Sequence, residues 1–324
     1  MAVSASDAAF FAREGYLVLP GFASSDEVAA LKGEGEALLA GCDPEANPSV
    51  FSTRRQTATT DAYFLESGNN VSFFLEEGAL DAEGRLRVPK HLAVNKFGHG
   101  ACANSLAASQ PRGADACRAA RSPALHDLTP AFRDFSRSHK MAALLRSVGM
   151  QRPMPVQSMY ITKQPSLGGE VVPHQDSAFL TTTPQTCVGF WVVLEAATKH
   201  NGCLWALPRS HGGGVARRFV LTPERTTRWA DTAGGCADSP SPPDFPRPVD
   251  ESSGYVALEV PAGTAVLLHG ACVHASAANT SSDSRHAYSV HYVEADAEWA
   301  KDNWMHRAPS FPPVPLGEEN TVPT

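Results

Sequence analysis

Apolar residues recur at helical spacing in the first half of this chain and at every second position through much of the second half. Ser6 to Glu14 reads as a short helix stopped by Gly15, followed by a strand at Tyr16-Leu17-Val18-Leu19. Ser24 and Glu27 have capping-box spacing, in which a hydroxyl and a carboxylate satisfy the first free N–H groups of a helix. Val28, Leu31, Leu38 and Leu39 continue that helix as an apolar stripe through Ala40, and a second helical region is expected over Leu125–Val148, with Phe132, Phe135, Met141, Leu144 and Leu145 inward. From about Val156 the period shifts to two. Gln157–Lys163, Cys187–Glu195, Cys203–Leu207, Val256–Val260, Thr264–His269 and Ala287–Glu294 are strand candidates, set apart by Gly, Pro and Asn. Many short strands after a helix-rich start predict a mainly β protein with flanking helices, a sandwich or jelly roll.

Two segments interrupt this rhythm. Asp43–Thr60 is polar, and Asp231–Ser253 holds Pro240, Pro242, Pro243, Pro246 and Pro248. Loops of such length inside a domain are usually functional or irregular. There is no internal repeat and no clear second-domain boundary. The expectation is one domain over 1–324, with a helical part of about 1–150 packing on a β core of about 151–305.

Composition narrows the function only by exclusion. With 27 Lys and Arg against 34 Asp and Glu, the net charge is −7, a poor match for a nucleic-acid backbone. The pairs Arg54-Arg55 and Arg217-Arg218 read as local surface charge. Seven cysteines, scattered and without a C-x-x-C, suit free thiols in a reducing compartment better than a disulfide framework or a zinc finger. No apolar run is long enough for a membrane span, no signal-peptide pattern opens the chain, and the cytoplasm is the expected location.

The chemistry concentrates in two short segments 100 residues apart. His174-Gln175-Asp176 lies in VVPHQDSAFL, and His274 lies in LLHGACVHAS. In a strand, residues i and i+2 share a side, so His174 and Asp176 can aim at one point while Gln175 faces away. A third imidazole from a neighbouring strand completes two nitrogens and a carboxylate on one face of a metal, the usual donor set of a non-haem Fe(II) oxygenase. His269 and His274 both compete for that third position; the 11-residue spacing to Arg285 favours His274. Arg285 suits the far carboxylate of a 2-oxoacid, since a guanidinium can grip a carboxylate with two parallel hydrogen bonds. His286 and His291 lack ligand spacing, and His291 is expected in the core or behind a ligand.

Five segments, GYLVLPGF, VNKFGHG, QSMYITKQPSLGGEVVPHQDSAFL, NGCLWALPRSHGGGVARR and LLHGACVHASAANTSSDSRHAYSVHYVE, resemble the phytanoyl-CoA dioxygenase family. They run from near the start to about Trp304. The resemblance implies a double-stranded β-helix core (a cupin-like jelly roll) that binds Fe(II) and 2-oxoglutarate and uses dioxygen. It implies His174, Asp176 and His274 as iron ligands, Arg285 with Ser276 at the distal carboxylate, Lys96 as a further cosubstrate contact, and Met159 and Trp191 as walls of that pocket. The implied activity is hydroxylation of a small organic substrate with release of succinate and CO2. Phe179, Tyr160, Gln164 and Arg217 are candidate substrate-pocket residues. Two other readings fit the same donors: a zinc or manganese hydrolase, and a non-catalytic module that senses 2-oxoglutarate. The motifs name neither the substrate nor the oligomeric state.

Overall fold

Both expected N-terminal helices are fixed at their starts by side chains. In the computed structural model, which describes residues 3–44, 46, 49–54, 60–67, 71–98, 125–232, 244–306 and 313–318, helix α1 spans Ala5–Glu14. Its Ser4 and Asp7 form a capping box, and Gly15, at φ 83°, turns the chain left-handed out of the helix into strand β1, Tyr16–Leu19. Helix α2, Ser25–Gly41, begins with the expected box: Ser24 Oγ accepts from Glu27 N at 3.2 Å and the Glu27 carboxylate accepts from Ser24 N at 2.8 Å. Helix α3 (Ala62–Glu66), strand β2 (Ser72–Leu75), helix α4 (Lys90–Ala93) and strand β3 (Val94–Gly98) follow.

The single helical region expected over Leu125–Val148 is three short helices: α5 (Leu125–Leu128), α6 (Pro130–Ser136) and α7 (His139–Ser147). Pro130, at a helix start, cannot continue the turn before it, and the Ser138 hydroxyl caps α7 by accepting from Met141 N. The inward residues are nonetheless those expected, with Phe132, Phe135, Met141, Leu144 and Leu145 all buried.

The remaining strands are β4 (Pro153–Ile161), β5 (Val171–His174), β6 (Thr182–Thr183), β7 (Val188–Val193), β8 (Leu204–Ala206), β9 (Arg217–Leu221), β10 (Thr227–Asp231), β11 (Val256–Leu258), β12 (Ala265–His269), β13 (His274–Ser276), β14 (Ala287–Glu294) and β15 (Glu298–Trp299). A seven-stranded sheet in the order β1-β12-β7-β14-β4-β3-β2 faces a four-stranded sheet in the order β11-β8-β13-β5. The first 150 residues thus supply three strands of the main sheet as well as helices.

Alternation along β7 explains the layering. Phe190 and Val192 belong to the core between sheet and helices, and Trp191 and Val193 to the core between the two sheets. Strand β14 does the same: Tyr288, Val290 and Tyr292 pack toward the helices, leaving Ser289 and His291 to face the cavity between the sheets. Both halves of the sandwich therefore aim alternate side chains at one interior.

Helix α2 sits on the outer face of the main sheet at Tyr160, where a Cβ on Gly35 would lie 2.4 Å from the Tyr160 ring. Gly33, two residues earlier, is exposed and has nothing within reach. Gly35→Ala should therefore destabilise the fold by about 1–3 kcal/mol through overpacking. Gly33→Ala should stabilise it by up to about 1 kcal/mol through helix propensity. Opposite signs in chemical denaturation check this; equal effects contradict the packing.

Candidate metal centre and its pocket

His174 ends β5 and lies directly opposite His274 of β13 in the antiparallel ladder, so the two imidazoles meet with ring centroids 4.2 Å apart. Gln175 keeps an extended backbone (φ −123°, ψ 129°), and Asp176 then opens a single 3₁₀ turn, Asp176–Ala178. Asp176 consequently returns to the side of His174. Gln175 faces the other way, its amide donating to the carbonyls of Gly214 and Ala271, each at 2.7 Å. Asp176 Oδ1 lies 3.7 Å from His174 Nε2 and 3.6 Å from His274 Nε2. One donor atom from each of the three residues falls within 4.8 Å of the other two. Asp176 is 7% and His274 6% exposed.

Both imidazoles are oriented from behind. His174 Nδ1 donates to the Val172 carbonyl at 2.9 Å and His274 Nδ1 to the Cys272 carbonyl at 3.0 Å. A carbonyl can only accept, so Nδ1 carries a proton, and in the neutral ring this leaves the Nε2 lone pair on the side of Asp176. These backbone partners carry no sequence signature. Burial and the neighbouring His274 push the His174 imidazole down to about 3, which keeps it neutral and a competent ligand. Burial alone would raise the Asp176 carboxyl, but His291 and His274 outweigh it and hold the group well below the usual carboxylate range. His291 of β14 does this at close quarters, with Nε2 3.3 Å from Asp176 Oδ2. Gly189 leaves room for the carboxylate: a Cβ there would lie 2.6 Å from Asp176 Oδ2.

His269, the competitor for the third position, points elsewhere. Its Nδ1 accepts from Ala271 N at 3.1 Å and its ring packs near Phe11 and His211. Leu268, its neighbour on β12, takes the cavity side instead.

The three residues open onto a cavity of about 170 Å³ between the sheets, whose wall includes Lys96, Met159, Trp191, Ser276 and Arg285. Arg285 is 2% exposed, lies over the Trp191 ring at 5.3 Å, and leaves Nε and Nη1 without a hydrogen-bond partner. Lys96 sits 3.2 Å above the Phe51 ring centroid, against Met159 Sδ at 3.7 Å, and burial pushes its ammonium down to about 7. The Ser276 hydroxyl donates to the Gly202 carbonyl at 2.8 Å.

Of the four further pocket candidates, Phe179 lines the cavity and three do not. Tyr160 has the opposite parity to Met159 and stacks on Phe97 in the helix-facing core. Gln164 is tied to the His91 carbonyl at 2.8 Å, and Arg217 is paired with Asp231 at 2.8 Å. The sequence reading passed over Lys163, which lines the cavity and keeps the parity of Met159. It also passed over an aromatic wall of Phe51, Phe64, Trp229, Phe245 and Trp304. Phe51 and Phe245 belong to the two long loops; the rest of each loop around residues 55–59 and 233–243 lies outside the described residues, as do Cys102, Cys117 and Cys236.

Two imidazole nitrogens and an ionised carboxylate on one side of a cavity can hold a divalent metal with its other positions open. An unpaired guanidinium deeper in the same cavity suits an anion.

The family model described as phytanoyl-CoA dioxygenase (PhyH) matches residues 11–287. A protein named phytanoyl-CoA dioxygenase from Arabidopsis thaliana is 43% identical over 300 residues, covering 92% of each chain. Phytanoyl-CoA dioxygenase domain-containing protein 1 from Bos taurus is 40% identical over 94% of this chain and 96% of its own. Among solved structures, the epimerase SnoN, in complex with Fe3+, alpha ketoglutarate and nogalamycin RO, aligns with a TM-score of 0.56 at 18% identity, over 97% of this chain and 96% of its own. EctD from S. alaskensis with bound Fe aligns with a TM-score of 0.56 at 21% identity, over 98% and 87%. These structural likenesses establish the double-stranded β-helix fold, and the sequence matches span nearly the whole chain: it belongs to the phytanoyl-CoA dioxygenase family.

Proposed function

We propose that this protein is an Fe(II)- and 2-oxoglutarate-dependent dioxygenase that hydroxylates a small organic substrate, with His174, Asp176 and His274 as the metal ligands. The observation that carries this reading is the pairing, in one cavity, of that His-Asp-His cluster with the buried, partly unsatisfied Arg285 guanidinium. Family membership supports it independently. When bound, the iron and 2-oxoglutarate would supply dioxygen activation and the oxidising equivalents, leaving succinate and CO2.

The chain's own residues supply geometry and electrostatics. The Nδ1 bonds to Val172 and Cys272 hold both imidazoles in the tautomer that ligation needs. His291 fixes the second oxygen of Asp176, leaving Oδ1 directed at the imidazoles. Arg285 would take the distal carboxylate of 2-oxoglutarate, with Ser276 beside it and Trp191 and Met159 as walls. Lys96 would add positive charge on the side of β3. The aromatic wall excludes water, which strengthens every charge interaction inside.

This reading treats residues 1–324 as one domain, because Lys96 and Phe51 from the first half and Arg285 from the second line the same cavity. None of the described helices is long and apolar enough to cross a membrane. A cytoplasmic location and the absence of a nucleic-acid partner remain part of the proposal on composition alone.

Asp176→Ala should abolish iron-dependent conversion of 2-oxoglutarate to succinate; turnover retained in that variant rejects the ligand assignment. Arg285→Ala should raise the 2-oxoglutarate concentration needed about 10- to 100-fold, the worth of one charge-assisted pair. An unchanged requirement makes Arg285 structural. Succinate release by the wild-type protein separates the oxygenase from a sensor, which would bind 2-oxoglutarate saturably without it. Strict dependence on ferrous iron separates it from a zinc or manganese hydrolase.

A further inference from the structure

Lys163 is a buried cation beside the same cavity, and it has no role in the functional reading above. It is 2% exposed, and its ammonium donates to the Gly169 carbonyl at 2.6 Å. An ammonium has three donors, so this one bond leaves two to be satisfied. Its backbone sits at φ 39°, in the left-handed region that a lysine occupies at a cost.

Three contacts fix Lys163 relative to the proposed cosubstrate residues. The Lys163 carbonyl accepts from Arg285 N at 3.2 Å and from Asn279 Nδ2 at 3.0 Å. Its side chain crosses Gly202, where a Cβ would lie 2.5 Å from Lys163 Cε and 3.3 Å from Ser276 Oγ. The ammonium stem and the Ser276 hydroxyl therefore flank one point, which Gly202 keeps clear. Arg285 and Lys163 are two like charges in a low-dielectric interior, and among the described residues neither makes an ion pair with a carboxylate. Glu76 acts on both, with Glu170 on Lys163 and Glu195 on Arg285, but among the described residues none of these acids forms an ion pair with either group. Burial, and then Arg285, pushes Lys163 down to about 7, and burial holds Arg285 at about 10.

We infer that Lys163 is the second cation of the distal-carboxylate site: with Arg285 it binds the anionic tail of a dicarboxylic 2-oxoacid and selects it over a 2-oxo monoacid. This rests on the proposed function. A dicarboxylate brings a negative charge to both cations, whereas a monoacid that lacks the distal carboxylate brings none.

The test is anaerobic calorimetry of the full chain loaded with Mn(II), titrated with 2-oxoglutarate and with 2-oxobutanoate. The variants are Lys163→Met and Lys163→Gln, the second keeping a donor for the Gly169 carbonyl without the charge. Both should lose about 10- to 100-fold in 2-oxoglutarate affinity, the worth of one charge-assisted contact, with little change for 2-oxobutanoate. Lys163→Gln should melt no lower than wild type without ligand, since a repulsive buried charge is removed and a donor for the Gly169 carbonyl is kept, whereas Lys163→Met also leaves that carbonyl without its donor. Undiminished 2-oxoglutarate binding in either variant overturns the inference, as does an equal loss for the two acids, which marks a purely structural lysine. Failure of the wild-type protein to bind 2-oxoglutarate overturns the functional reading and takes this inference with it.

Discussion

Everything at this site depends on one cross-strand pair. His174 and His274 stand opposite each other in the β5–β13 ladder, so a backbone register, not a flexible side chain, sets the distance between two imidazoles. A slip of one residue in that register would turn one of the two rings to the other face of the sheet. The extended Gln175 then carries Asp176 back to the same side. A cluster built this way is pre-formed: the imidazoles are held by strand pairing and by backbone acceptors on their far nitrogens. That rigidity is what a metal centre with open positions requires, because no further ligand from the protein closes the geometry.

The second theme is charge. The cavity buries one carboxylate beside the imidazoles and three cations, Lys96, Lys163 and Arg285, farther along the wall. An unpaired ion in such surroundings is costly, and native folds rarely retain one without a purpose. The carboxylate is compensated within the protein by His291 and would be further compensated by a divalent metal. The cations await an anion. A single bound molecule that chelates metal at one end and carries a carboxylate at the other would settle both imbalances. The protein is therefore least at ease electrostatically when empty, which couples stability to ligand.

Much of this was legible in the chain. The capping box at Ser24, the period-two runs that became β7, β12 and β14, and the H-x-D with a distant His all encode local geometry, and local geometry is what a sequence writes most clearly. Spacing could not separate His269 from His274. That choice depends on which face of the sheet each occupies, and the turn between β12 and β13 resets the parity between them. Parity along β4 places Tyr160 in the helix-facing core, as most tyrosines in such a strand are, and turns Lys163 to the cavity with Met159. Pro130 and Ser138 divide the expected helical region into three helices, and the apolar stripe that crosses them names the buried residues correctly. The carbonyls behind each imidazole, and the room that Gly189 leaves for Asp176, arise from tertiary contact and have no local signal.

The most direct measurement is a crystal grown without oxygen in the presence of Mn(II) and 2-oxoglutarate, with anomalous scattering used to locate the metal. The account predicts one anomalous peak bonded to His174 Nε2, an Asp176 oxygen and His274 Nε2, with the far carboxylate of the oxoacid against Arg285. A metal elsewhere, or an oxoacid whose distal end lies away from Arg285, would contradict it.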